Sequence, residues 1–316
     1  MKTKVLIIKL GYSETLDHKI ADTPSIGDTL RTTPILFAIK EKYPDSFIVW
    51  LGAKEAEPLI EGISIIDRVM IWDNFVPFQL MREKFDVLIN LEKVLGVCAL
   101  SDMIDAWVKY GFRFDSAMGT YHAYEKGLQF IEYIKIKQSQ NKTIKSWQQV
   151  LIEMLDVKWK KQKYLIGYKP EKKEIYDVGL NYNVGSKWKV KAMSKDIWND
   201  LEKRLSESGL NVSWQKGTNN LYDYMDWINS CKIIISQDSL GLHVALAYDR
   251  KIIGLFGPTD SSEIYTYGKD NIIIHSGQAC DKMPCYSPNC ITDLYCMEKI
   301  DLDEIMNAVR KLMDSA

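Results

Sequence analysis

The sequence predicts an α/β chain built as two successive units, each a parallel sheet with helices on both faces. Three features lead there. Short apolar runs alternate with segments of helical spacing. A charged, proline-bearing break, Lys169-Pro170-Glu171-Lys172-Lys173-Glu174, interrupts that alternation, which then restarts. The length, 316 residues, is too great for one ordinary core and suits two.

In the first half, Val5 to Lys9 reads as a strand, followed by a polar, irregular segment from Tyr12 to Pro24. Ser25-Ile26-Gly27-Asp28 then opens a segment with helical spacing, where Asp28 or Thr29 is placed to cap free N–H groups. Phe47 to Leu51, Val69 to Trp72 and Phe85 to Leu91 read as further strands, and Trp107 to Lys163 holds helical patterns rich in Tyr, Lys and Gln. In the second half, strands are expected at Asp177–Leu180, Asn211–Trp214, Lys232–Ser236 and Ile252–Phe256. Helices are expected at Ser194–Ser208, Tyr222–Ser230 and Asp301–Met313. The expected domains are residues 1–168 and 173–316.

Composition narrows the function. An apolar fraction of 46% and a charged fraction of 26% fit a water-soluble fold. A formal net charge of -1 argues against a bulk nucleic-acid binder. The apolar run Val5–Ile8 is too short for a secretory signal, and no run is long enough to span a bilayer. These features predict a cytoplasmic protein.

Three segments carry candidate chemistry. In Ser25 to Pro34, Gly27 permits a sharp turn after a strand, and Asp28 beside a helix start is either a general base or a helix cap. In Gly185-Ser186-Lys187-Trp188-Lys189-Val190-Lys191, a hydroxyl and three lysines between a strand and a helix suit a diphosphate, or form a solvated basic loop. The third segment, Ser236 to Ala247, follows a strand. Asp238, Ser239, Gly241 and His243 lie there at a helix start, where parallel sheets bind ligands.

These segments, in this order, resemble glycosyltransferase family 9, the ADP-heptose:lipopolysaccharide heptosyltransferases. The resemblance is strongest at Gly27 to Pro34, Asp238 to His243 and Leu255-Phe256-Gly257-Pro258-Thr259. It implies a B-type glycosyltransferase fold, two Rossmann-like domains with parallel sheets facing across a cleft. The first domain would be the acceptor side and the second would bind the nucleotide-sugar donor. The implied reaction is inverting transfer of a heptose from ADP-heptose to the lipopolysaccharide inner core or to a protein acceptor, with no metal in the chemistry. The enzyme would meet a membrane-anchored glycan by peripheral contact with the inner membrane. Alternatives are another nucleotide sugar, or a catalytically idle sugar-nucleotide binder.

The resemblance also implies residue roles. Asp28 is the general base. Ser186 and Lys191 contact the donor's phosphates, and Gly27 and Lys187 are expected to bind the donor with them. Asp238, Ser239, Gly241 and His243 surround the pyrophosphate and sugar, and Gly257 and Thr259 belong to the loop closing the donor pocket. The segment Tyr12 to Pro24 exceeds the family's usual short turn and is expected to be an acceptor lid. Leu240 and Ala192-Met193-Ser194 depart from the family pattern.

Four of the six cysteines, Cys280, Cys285, Cys290 and Cys296, crowd one segment with Pro284 and Pro288. In a cytosolic protein this suits one structural zinc or iron ion, or four reduced thiols in a compact loop. Some family 9 members that glycosylate proteins carry a similar cysteine finger. Cys98 and Cys231 sit in apolar contexts and are expected to be packing residues.

Overall fold

The computed structural model describes the whole chain except residues 1, 13–23, 130, 134–144, 172–173, 269, 278–279, 291 and 315–316. Almost all of the expected lid thus lies outside the described residues. The chain divides into two compact units, Met1–Tyr168 and Lys169–Ala316.

The first unit holds strands β1 (Lys4–Ile8), β2 (Phe47–Gly52), β3 (Arg68–Ile71), β4 (Lys84–Asn90), β5 (Asp105–Asp115) and β6 (Thr120–Ala123). They form one sheet in the order β3-β2-β1-β4-β5-β6. Every neighbouring pair is parallel except β5 and β6. The central strand β1 reads Val5-Leu6-Ile7-Ile8, all fully buried, as expected of a strand covered on both faces.

Two strands contradict the helical expectation for Trp107 to Lys163. Phe112 of β5 is buried, while Trp107 stands 89% exposed. Its β-branched and aromatic residues pair with β4 along most of their length, and that pairing overrides the weak local helical signal. A helix does form later in that span, at Trp147–Met154.

The second unit holds β7 (Tyr176–Asn181), β8 (Val212–Trp214), β9 (Cys231–Gln237), β10 (Lys251–Phe256) and β11 (Asn271–His275). Their order is β11-β10-β9-β7-β8, all parallel. Strand β11 was not expected from the sequence. The helix Lys195–Glu207 buries Trp198, Leu201 and Leu205, a spacing that puts all three on one face. The last helix, Leu302–Asp314, buries Ile305, Met306, Ala308, Val309 and Leu312. Both helices share a core with Val178, Leu180, Ile233, Ile235, Ile253 and Leu255.

Each sheet reverses its winding once. In the first unit successive strands run outward from β1 to one side, and the chain then crosses to β4 on the other. In the second, β8 lies on one side of β7 and β9 on the other. The loops leaving the two central strands therefore diverge, and ligands of open parallel sheets bind there. Among the described residues no helix is long and apolar enough to cross a membrane.

Trp198 is the largest side chain of the second core to be fully buried. Trp198→Ala is expected to cost about 3–5 kcal/mol of stability. Urea denaturation followed by circular dichroism checks this, and a change below about 1 kcal/mol would show that the site collapses without loss.

Candidate active site

In the first unit, the site starts where β1 ends. The Glu92 carboxylate, fully buried, accepts the N–H groups of Leu10 at 2.7 Å and Gly11 at 2.6 Å. It also lies 3.4 Å from the Lys9 ammonium, itself 1% exposed. Gly11 in turn accepts the Ser25 N–H at 2.7 Å, and Ser25 accepts that of Asp28 at 2.9 Å. A chain of hydrogen bonds thus runs from Glu92, just past β4, to the helix Ile26–Thr32.

Asp28 stands in the first turn of that helix and is 8% exposed. The helix begins after Ser25, whose side chain makes no capping bond. Asp28 is therefore not the N-cap, which removes the simplest structural explanation for it. Its Oδ1 meets the Arg31 Nε at 2.6 Å, and the Arg31 guanidinium lies 5.4 Å from the centre of the Trp147 ring. Arginine beside an aromatic face and a carboxylate is held in one orientation, and so is the carboxylate. Gly27 is half-buried beside it.

In the second unit, the sequence-predicted residues converge on Asp238, which follows β9. The Lys191 ammonium meets Asp238 Oδ2 at 2.5 Å, and both side chains are 14% exposed. The Thr259 hydroxyl donates to the same oxygen at 2.9 Å. Burial disfavours the charge on Asp238. The Lys191 and His243 charges and the two hydrogen bonds outweigh it and hold the carboxyl well below the usual carboxylate range. Lys191 also lies 5.1 Å from the Trp188 ring centre. It ends the short 3-10 helix Ser186–Lys191.

Ser239 is the N-cap of the helix Leu240–Ala247, which buries Gly241 and His243. Its hydroxyl accepts from Asn181 Nδ2 at 2.9 Å. Asn181 ends β7, is fully buried, and also accepts the Tyr224 hydroxyl at 2.6 Å. A β-carbon on Gly241 would lie 2.3 Å from the Asn181 amide nitrogen, so only glycine permits this approach. Gly257 and Thr259 leave β10 on the loop that reaches Asp238. Ser186 is exposed, whereas Lys187 is buried, 4% exposed.

The sequence did not reveal Asn181, Tyr224, Arg31 or Glu92 as site residues. A signal was present for two of them. Asn90 and Glu92 end one apolar strand run and Asn181 ends another, and a polar residue ending such a run has its hydrogen bonds to place.

The four clustered cysteines are free thiols. Cys296 is buried, and burial with its thiol neighbours Cys285, Cys280 and Cys290 pushes its thiol up. Backbone N–H groups of Thr292, Tyr295 and Asp293 hold the Cys290 thiol below its usual range. Among the described residues, no three His, Cys, Asp or Glu side chains converge on a metal-sized site. Cys98 and Cys231 are fully buried, and burial pushes both thiols up to about 12, as suits packing residues.

Glu92→Gln removes the carboxylate charge facing a buried ammonium and is expected to cost about 3–5 kcal/mol. Chemical denaturation measures this. A loss under about 1 kcal/mol would mean that other groups carry the Lys9 charge.

Comparison with known proteins bears on the fold and the family likeness. Residues 216–296 match the family model described as glycosyltransferase family 9 (heptosyltransferase). Lipooligosaccharide heptosyltransferase 2 of Campylobacter jejuni serotype O:2 is 19% identical, over 92% of this chain and 96% of that protein. Among solved structures, a family 9 glycosyl transferase from Veillonella parvula superposes with a TM-score of 0.71 at 15% identity, over 100% of this chain and 99% of that one. The ADP-heptose lipopolysaccharide heptosyltransferase II of E. coli gives 0.67 at 12% identity, over the whole of both chains. The iron-containing dodecameric glycosyltransferase TibC of enterotoxigenic E. coli gives 0.63 at 10%, over 100% of this chain and 78% of that one. These likenesses give the chain the B-type glycosyltransferase fold. With the family segment inside its second unit, the chain is a glycosyltransferase similar to family 9, the heptosyltransferases.

Proposed function

We propose that the protein transfers a heptose from ADP-heptose to a lipopolysaccharide-type glycan acceptor, with inversion at the anomeric carbon. The observation that carries this reading is the meeting of Lys191 and Thr259 on Asp238 where the central strands of the second sheet end. A leaving nucleoside diphosphate gains negative charge as the glycosidic bond breaks. An ammonium, a hydroxyl and a helix N-terminus already in place stabilise that charge without a metal. The names of the relatives supply the sugar and the nucleotide.

In this reading the acceptor hydroxyl oxygen attacks the anomeric carbon, and the carbon–oxygen bond to the diphosphate breaks. Asp28 takes the acceptor's proton, its carboxylate aimed by Arg31. ADP leaves, carrying the bonding electron pair. The first unit would thus serve the acceptor and the second the donor, with Ser239, Gly241 and His243 along the pyrophosphate. The reading places the enzyme in the cytoplasm, in peripheral contact with the inner membrane where its acceptor is anchored.

We extend the proposal to Cys280, Cys285, Cys290 and Cys296 as ligands of one structural zinc or iron ion. Four thiols and the N–H groups turned on Cys290 support it. The described positions do not form a closed ligand set, so binding would have to draw the sulfurs together, and no step of the reaction passes through the ion.

Two measurements test these readings. Asp28→Asn is expected to lower turnover roughly 10²–10⁴-fold while ADP affinity stays within about twofold. Near-normal turnover would remove Asp28 from the mechanism. Elemental analysis of protein purified without added metal or chelator is expected to give close to one equivalent of zinc and iron together. Less than about a tenth of an equivalent would reject the ion.

A further inference from the structure

The two loops that meet on Asp238 share a support distant from both in sequence. It is the short 3-10 helix Cys296–Lys299. On one side, its Glu298 carboxylate accepts the backbone N–H of Ser194 at 2.6 Å. Ser194 is the N-cap of the helix Lys195–Glu207 and follows Lys191 closely. In a self-contained helix start, a Glu or Gln at the third helical position reaches back to this N–H. That position is Ile197 here, which has no acceptor. Glu298 completes the cap from elsewhere in the unit.

On the other side, the same short helix backs the loop that carries Thr259. A β-carbon on Gly257 would lie 2.8 Å from both Cys296 Sγ and Met297 Sδ, so the loop backbone rests directly on these sulfurs. Tyr286, within the cysteine segment, adds a second hold by donating its N–H to the Pro258 carbonyl at 2.9 Å. Both loops are therefore braced from behind, and their tips, Lys191 and Thr259, share one oxygen of Asp238 in front.

We propose that Glu298 is a positioning residue for the donor diphosphate. It fixes the loop between Lys191 and Ser194, while Cys296 and Met297 set the height of the Thr259 loop against it. The spacing between an ammonium and a hydroxyl that bind one diphosphate then depends on a helix that touches no substrate. This inference rests on the reading of the Lys191–Asp238–Thr259 cluster as the diphosphate site.

Calorimetry with ADP on the full chain tests it. Glu298→Ala is expected to weaken ADP binding roughly 5- to 30-fold, the range set by loss of a helix-capping hydrogen bond. Glu298→Gln keeps an acceptor oxygen at the same reach and is expected to bind within about threefold of the parent. In steady-state kinetics, the alanine variant should raise the donor KM more than it lowers kcat. A lower melting temperature with unchanged ADP affinity of the folded alanine variant would overturn the positioning role. So would a glutamine variant as weak as the alanine one. A parent protein that binds no ADP at millimolar concentration would overturn the diphosphate reading itself, and the positioning role with it.

Discussion

A parallel sheet has to bring its chain back to the starting edge after every strand, and it does so with a helix on one face or the other. When the winding changes direction, two neighbouring loops leave the same end of the sheet toward opposite faces. Both units have this reversal, between β1 and β4 in the first and between β7 and β9 in the second. Asp28 follows β1, Glu92 follows β4, Lys191 follows β7 and Asp238 follows β9. The candidate residues in each unit are therefore placed by winding order, before any single side chain is considered.

The two sites use charge differently. Asp28 is paired within one helix, to Arg31 one turn on. Asp238 is paired across loops, to Lys191 and Thr259, which arrive from other strands. In this structure the Lys191 ammonium rests on a carboxylate. An incoming diphosphate would present denser negative charge to the same ammonium, and Asp238 would keep the Thr259 hydroxyl as partner. In the proposed reading such a site would start organised and need little rearrangement to take up the leaving group's charge.

Much of the fold was legible because buried parallel strands are written as unbroken apolar runs, as in Val5 to Ile8 and Ile233 to Ile235. Strand β5 was not legible. Its exposed Trp107 and its lysine and tyrosine content blur the period, and only pairing with β4 decides its form. Strand β11 is a short Ile272-Ile273-Ile274 run that could equally have been part of a loop. Among the candidate residues, Asp28, Lys191, Asp238 and Thr259 could be picked out because each sits in a motif next to a strand end, and the last three do come together. Asn181, Glu92 and Glu298 were not, since each acts on a backbone N–H or side chain brought near only by folding. That Lys187 is buried was not legible, because a lysine's place in a basic loop does not tell how far its side chain is covered.

The buried contact between Lys9 and Glu92 constrains how this sequence can drift. Either residue alone is locked by the other, since a one-step change strands a charge in an apolar interior. Exchanging both for apolar residues of similar volume restores neutrality, yet still leaves the N–H groups of Leu10 and Gly11 in search of an acceptor. Two apolar partners are therefore not an equivalent substitute, and an oxygen at position 92 is the more binding requirement of the two. Across distant homologues, position 9 should vary in step with the charge at 92, while position 92 itself should keep an acceptor, as carboxylate or amide.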